Sequence, residues 1–175
     1  MAAAPAIVGT TNVQLDCAQM SFPPATEAPL RLRLLPSWLL AQAALHAQRL
    51  TAKRFDVLGM RRQHFAVLTA LADFGASSQA ELGRRLSIDR SDMAAAATEL
   101  ERAGMLQRTR DPGDRRRNLV ALTPAGGFAL RQLDAQVSEA QEDLLAPLTP
   151  PERIELTRLL TRVVEFHAAA QQRHP

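Results

Sequence analysis

Arg115, Arg116 and Arg117 form one run directly behind Asp111-Pro112-Gly113-Asp114. Asp-Pro-Gly-Asp is a turn-forming sequence, because proline presets the backbone for a turn and glycine accepts conformations that other residues avoid. Met105–Arg110 on one side and Asn118–Thr123 on the other are short stretches suited to strands. Residues 108–117 therefore carry five arginines and two aspartates around a hairpin tip. Three guanidiniums crowded there repel one another and gain little from neighbouring protein. A polyanion satisfies them, and a narrow minor groove of duplex DNA concentrates the negative potential that attracts inserted arginine. The plain alternative is a solvated charged turn.

A second group lies upstream. Asp89 is suited to cap a helix, with Arg90, Ser91 and Asp92 in the first turn. Arginine can donate a bidentate pair to guanine O6 and N7, and Asp92 can accept from cytosine N4–H or act as a capping carboxylate. Arg84 and Arg85 on the preceding segment, with Ser77 and Ser78 at its start, are candidate contacts to a nucleic-acid backbone. The net charge of +3 does not force this reading, so the distribution of charge carries it. The basic residues are 20 arginines and one lysine, Lys53. A GC-rich coding sequence explains that bias, which leaves the arginines' positions as the informative feature.

The other chemistries are poorly supported. Ala125-Gly126-Gly127 lacks the Gly-x-Gly of a phosphate loop. His46, His64, His167 and His174 fit neither HExxH nor a companion CxxC, and Cys17 is the only cysteine, so no metal, cofactor, internal disulfide or enzymatic activity is expected. No segment has the length of a membrane span, and the first fifteen residues lack the pattern of a signal peptide. A cytoplasmic protein with no membrane contact is the expectation.

The positions of these residues imply the elements that must hold them. With 46% apolar but only 4% aromatic residues, the core must be mostly leucine, alanine and valine, which favours helix packing. Residues 1–30, interrupted by Pro5, Pro23, Pro24 and Pro29, read as an extension, in which residues 12–22 could pair as a strand. A long helix is expected from Pro36 to about Val57, and a second from about Arg61 to Phe74. Ser78 to Glu81 has capping-box spacing and opens a short helix ending near Leu86. After a tight turn, Asp89 opens a helix running to Gly104, which makes a helix-turn-helix. Beyond the two strands, Thr123-Pro124 starts a helix to about Leu145, and Thr149 to Glu152 caps a last helix to about Gln171. Leu156, Leu159, Leu160, Val163 and Val164 form an apolar stripe on that helix.

This order, with "QAELGRRLSIDRS" and "LERAGMLQRTRDPGDRRRNLVALTPAG", resembles the MarR family of winged helix-turn-helix repressors. The family's wing signature, Asp-x-Arg followed by Leu-Thr-x-x-Gly, is matched by Asp114, Arg116, Leu122, Thr123 and Gly126. The resemblance covers about residues 36–170 and is strongest over 78–127. It implies a mainly α fold with a small β-wing and a helical dimerisation layer formed by the N- and C-terminal helices. The expected organisation is an extension over 1–30, an N-terminal dimerisation region over 31–60, a DNA-binding domain over 61–122 and C-terminal dimerisation helices over 123–175. The resemblance further implies that Arg116 enters the minor groove while Asp114 holds the wing tip, leaving Arg115 and Arg117 for phosphates. The chain departs from the family at Ala94 and Ala95, where polar residues are common, so shape readout gains weight.

The partners so implied are double-stranded DNA, a second copy of the chain and a small aromatic or phenolic ligand. Peroxide sensing of the family type is disfavoured, because Cys17 lies in the extension and the chain has no tyrosine. Trp38, Gln42 and His46 recur at four-residue spacing on one helix face, and His64 starts the second helix. Stacking and charge-assisted hydrogen bonds from these four could hold a flat carboxylate. Packing of Trp38 in a dimer interface is the alternative. The competing function is a winged-helix module for protein association, against which the basic tip argues.

Overall fold

The computed structural model describes residues 27–110, 113 and 118–173. Two compact units divide the chain between Leu45 and His46, within one helix. The first holds α1 (Leu30–Arg33) and the opening turns of α2 (Pro36–Asp56). Leu30 and Leu34 there are 62% and 70% exposed, and Leu35, Leu39 and Leu40 also face solvent.

The second unit contains the rest of α2, α3 (Arg62–Phe74), β1 (Ser77–Ser78), α4 (Gln79–Leu86), α5 (Arg90–Arg102), β2 (Leu106–Arg110), β3 (Asn118–Leu122), α6 (Pro124–Leu145) and α7 (Pro150–Arg173). Its core joins Phe55, Val67, Leu68, Leu71, Leu82, Met93, Leu100, Leu106, Val120 and Leu133. The apolar positions of α3 and α5 recur at helical spacing, so each helix turns one stripe inward. α7 differs, because none of its described side chains is fully buried. Leu156 and Leu160 of its stripe are half-buried, whereas Leu159, Val163 and Val164 are exposed, as are Ile154 and Phe166.

The sheet is antiparallel in the order β1-β3-β2. Strand β1 was not expected from the sequence: Ser77 and Ser78 read as a helix start, yet they also pair with Val120 and Leu119. Between β2 and β3, Leu106 faces Leu122, Arg108 faces Val120 and Arg110 faces Asn118. Directly opposed residues share a face, so one side of this ribbon runs from buried Leu106 at the root to Arg108 and Asn118 farther out.

The ribbon is fixed at its root by a junction with α6. Thr123 donates its backbone N–H to the Met105 carbonyl at 3.1 Å and its hydroxyl to the Gly104 carbonyl at 2.7 Å. The same hydroxyl caps α6 by accepting from Gly126 N–H at 3.1 Å. Gly104 adopts φ +70°, the left-handed conformation that ends α5. At Gly126 a β-carbon would overlap the Met105 carbonyl oxygen and come within 2.8 Å of Leu122 Cδ1, whereas at Gly127 it would meet nothing nearer than 3.8 Å.

This contrast gives a paired prediction. Gly126→Ala should destabilise the protein by about 1–3 kcal/mol through overpacking against backbone. Gly127→Ala should be neutral or stabilising by up to about 1 kcal/mol, since alanine is the better helix former. Urea denaturation of both variants tests this, and equal midpoints would refute the close approach at Gly126.

Candidate nucleic-acid interface

The helix-turn-helix follows from local chemistry. Ser78 caps α4, its Oγ accepting from Glu81 N–H at 3.2 Å. α4 ends at Ser87, whose φ of 53° lies in the left-handed region, and Ile88 N–H closes the turn onto the Gly83 carbonyl at 3.0 Å. Asp89 then caps α5, accepting from Asp92 N–H at 2.9 Å and from the Ser91 hydroxyl at 2.7 Å. These bonds, the one from Asp92 N–H foremost, hold the Asp89 carboxyl below its ordinary pKa. It therefore stays ionised at the positive end of the helix.

Once capped, α5 buries Met93, Ala96, Ala97 and Leu100, and its outward face presents Arg90, Ser91, Asp92, Ala94 and Ala95. The exposed alanines extend no polar group beyond the first turn. Arg90 and Ala94, together with Arg84 of α4 and Arg108 and Asn118 of the ribbon, line a cleft of about 940 Å³. Helix end, helix-turn and ribbon thus border one concave surface within the second unit.

The arginines around this cleft divide by their partners. Arg84 and Arg90 are exposed, and neither has an ion pair among the described residues. Arg85 donates to Glu81 Oε1 at 2.7 Å and lies over the Phe74 ring, 4.6 Å from its centroid. Arg108 pairs with Glu101 of α5 at 2.7 Å. Such exposed pairs contribute only about 0–1 kcal/mol each to stability. Their larger effect is to engage a guanidinium that would otherwise be free for a phosphate.

Ser77 and Ser78, expected at a nucleic-acid backbone, also serve the fold. Ser77 and Ser78 are 5% and 8% exposed, with Ser77 Oγ donating to the Gly75 carbonyl at 3.1 Å and Ser78 Oγ capping α4. Strand pairing and capping give both a part in holding the turn, and Ser78 lines the cleft. Asp114, Arg115, Arg116 and Arg117 lie outside the described residues, as do Cys17 and residues 1–26. The β2–β3 register leads the chain out through Arg110 and back through Asn118, on either side of that tip.

The four candidate ligand contacts are not alike. In the first unit, Trp38 is half-buried, while Gln42 is buried and its Nε2 has no hydrogen-bond partner among the described residues. In the second unit, His46 is exposed, and His64 is buried with both ring nitrogens engaged. His64 Nδ1 accepts from Arg61 N–H at 3.2 Å, and Nε2 lies 2.9 Å from Glu99 Oε2. Sequence reasoning missed Glu99 and Arg61, for nothing in their local pattern marks a pair so far apart along the chain. Among the described residues no three His, Cys, Asp or Glu side chains are grouped to hold a metal ion, and no helix is long and apolar enough to cross a membrane.

Comparison with known proteins places these features in a context. A model of the MarR family matches residues 58–117, which contain α3 to β2 and the ribbon tip. The HTH-type transcriptional repressor NicR of Pseudomonas putida is 32% identical over 101 residues, which make up 58% of this chain and 64% of NicR. The chain thus spans just under two thirds of that relative. The crystal structure of a probable transcriptional regulator from Pseudomonas aeruginosa is 34% identical, covers 76% of this chain and 99% of its own, and superposes with a TM-score of 0.68. BpsR of Bordetella bronchiseptica, whose DNA binding is regulated by 6-hydroxynicotinic acid, is 25% identical with a TM-score of 0.69, over 78% of this chain and 98% of its own.

The division among arginines predicts different salt responses on a DNA duplex. Arg84→Ala should reduce the slope of log affinity against log salt by about one, because one phosphate neutralisation is lost. Arg85→Ala should change the slope much less, since its guanidinium already faces Glu81. Fluorescence anisotropy over a salt series distinguishes them, and equal slopes for the two variants would count against the division.

Proposed function

The chain belongs to the MarR family, and from that premise we propose that it is a homodimeric, sequence-selective DNA-binding transcriptional regulator. In this reading it is a repressor that leaves a pseudo-palindromic operator when a small aromatic acid or phenol binds. The observation that carries the proposal is the cleft that Arg84, Arg90 and Arg108 line, with the arginine run 115–117 lying in sequence between the two strands of the ribbon. α5 enters the major groove by its N-terminal turn, where Arg90 takes guanine and Ser91 and Asp92 take neighbouring positions. Arg84 lies along the backbone, with Arg85 held beside it by Glu81. Arg116 reaches the adjacent minor groove with Asp114 steadying the tip, and Arg115 and Arg117 hold phosphates.

Exposed apolar side chains support the dimer. Leu30, Leu34 and Leu39 in the first unit, and Ile154, Val164 and Phe166 on α7 in the second, face solvent in the single chain. Apolar surface on this scale marks an association site. A two-fold dimer sets two copies of α5 about one helical turn of DNA apart, which is what a pseudo-palindrome requires. For the effector, BpsR and its aromatic acid support the chemical class, and Trp38 and Gln42 are the residues assigned to bind it. The indole offers a stacking face, and the unpartnered Gln42 amide offers a donor to a carboxylate or phenolate oxygen.

Selection of bound duplexes from a random pool, with light scattering on the same preparation, tests the main reading. A dimer retaining a pseudo-palindromic sequence is expected, and Leu160→Asp should abolish dimerisation and tight binding together. Arg116→Ala should weaken binding to the selected duplex by about 1–3 kcal/mol. A monomer that retains no duplex would refute the proposal.

The effector reading has its own test. Titration with aromatic carboxylates and phenols should release the duplex and quench Trp38, the only tryptophan. Gln42→Leu should abolish release while leaving operator affinity intact. Ligand-driven release with constant Trp38 emission and an unaffected Gln42→Leu variant would move the site elsewhere.

A further inference from the structure

The group that the DNA reading leaves unused is the charged cluster where α3 begins. His64 occupies the third position of α3, and its Nδ1 accepts from the Arg61 N–H just ahead of the helix. In a capping box that task falls to glutamate or glutamine. Because Nδ1 accepts, the ring proton sits on Nε2 and is donated to Glu99 Oε2 at 2.9 Å. The Arg61 guanidinium pairs with the same oxygen. Glu99 projects from α5, two turns beyond the residues assigned to the bases. One carboxylate oxygen thereby ties α5 both to the cap of α3 and to the residue that this cap holds.

We infer that Glu99 is a positioning residue for the recognition helix, acting through Arg61 and His64, and that this clasp makes selective DNA binding depend on a neutral His64. The inference rests on reading α5 as the helix that meets the bases. A small rotation of α5 about its axis would carry Arg90 and Asp92 away from base edges, and phosphate contacts from more flexible arginines would survive it. Loss of the clasp therefore lowers selectivity more than it lowers total affinity.

Protonation opposes the clasp for a geometrical reason. A second ring proton on Nδ1 removes the acceptor for Arg61 N–H and places a cation beside the Arg61 guanidinium. The charged groups acting on the ring are Glu99 of α5 and Arg61 ahead of α3, while Asp92 of α5 acts on Arg61 in turn. Burial is the largest influence and holds the imidazole below its ordinary pKa, with the Glu99 bond opposing it. If the DNA-bound form needs neutral His64, selective affinity is full above about pH 6.5. It then falls as pH drops through the lowered pKa of the free protein.

The experiment measures the ratio of affinities for the selected duplex and a scrambled one from about pH 7.5 to about pH 5. For the wild type the ratio should fall toward the acid end, although rising positive charge strengthens binding to any duplex. His64→Gln preserves both bonds, since glutamine accepts from Arg61 N–H and donates to Glu99 but does not titrate. It should keep the neutral-pH ratio and flatten the profile. Glu99→Gln should lower the ratio about three- to tenfold at neutral pH with binding to scrambled duplex unchanged. Circular dichroism confirms that both variants fold. A His64→Gln profile that still falls with the wild type's midpoint, or a Glu99→Gln ratio equal to the wild type's, overturns the inference alone. A wild-type protein that retains no selected duplex overturns the reading of α5 and this inference with it.

Discussion

The contact on which the helix-turn-helix and its ribbon depend is the approach of α6 to the Met105 carbonyl. Only a residue without a β-carbon fits at Gly126, and only a hydroxyl at Thr123 can cap α6 while reaching back to Gly104. These contacts fix where β3 ends relative to where β2 begins. The antiparallel register then fixes which residues stand opposite one another along the whole ribbon. A slip of one residue would turn Val120 out of the core and Arg108 away from the cleft. The pairing of Arg110 with Asn118 at the outer end of the described ribbon is therefore decided at its root, by packing against backbone.

Electrostatics acts on that frame by deciding which arginines remain available. Arg54 is paired with Glu139 and Asp143, Arg153 with Glu142 and Arg158 with Glu155, all away from the cleft. Around the cleft, Arg85 and Arg108 are drawn to Glu81 and Glu101, which leaves Arg84 and Arg90 as exposed cations without an ion pair among the described residues. Coulomb attraction at these exposures is weak and screened over about 10 Å. Acidic neighbours therefore tune direction and availability and contribute little to the fold. A net charge of only +3 is compatible with a basic face, because the local distribution of charge matters there and not the total.

Features written in adjacent residues were legible in the sequence. The caps at Ser78, Asp89, Thr123 and Thr149 each depend on a side chain and a backbone group within three residues, and all four stand where their spacing placed them. The helices from Pro36, Pro124 and Pro150 followed from the same logic, and the family's fold followed from their order. What could not be read was contact across the chain. Ser77 and Ser78 looked like a polar helix start facing an anion. Pairing with Val120 and Leu119, distant in sequence, also gives them a part in the sheet. His64 looked like a free imidazole at a helix start until Glu99 supplied its second partner. α1 went unseen because four residues are too few for a period to show.

The proposed control of DNA binding by a small ligand sets a demand on this arrangement. DNA contacts from exposed arginines on long side chains tolerate small displacements of the body that carries them. On the proposed reading of α5, contacts from its first turn do not, because Arg90, Ser91 and Asp92 share one backbone capped by Asp89. Selectivity is therefore the quantity most sensitive to how α5 is seated. A ligand need supply only about 1.4 kcal/mol of preference for a displaced conformation to change occupancy tenfold. The clasp at Glu99 adds to the seat that α5 already has in the core through Met93, Ala97 and Leu100.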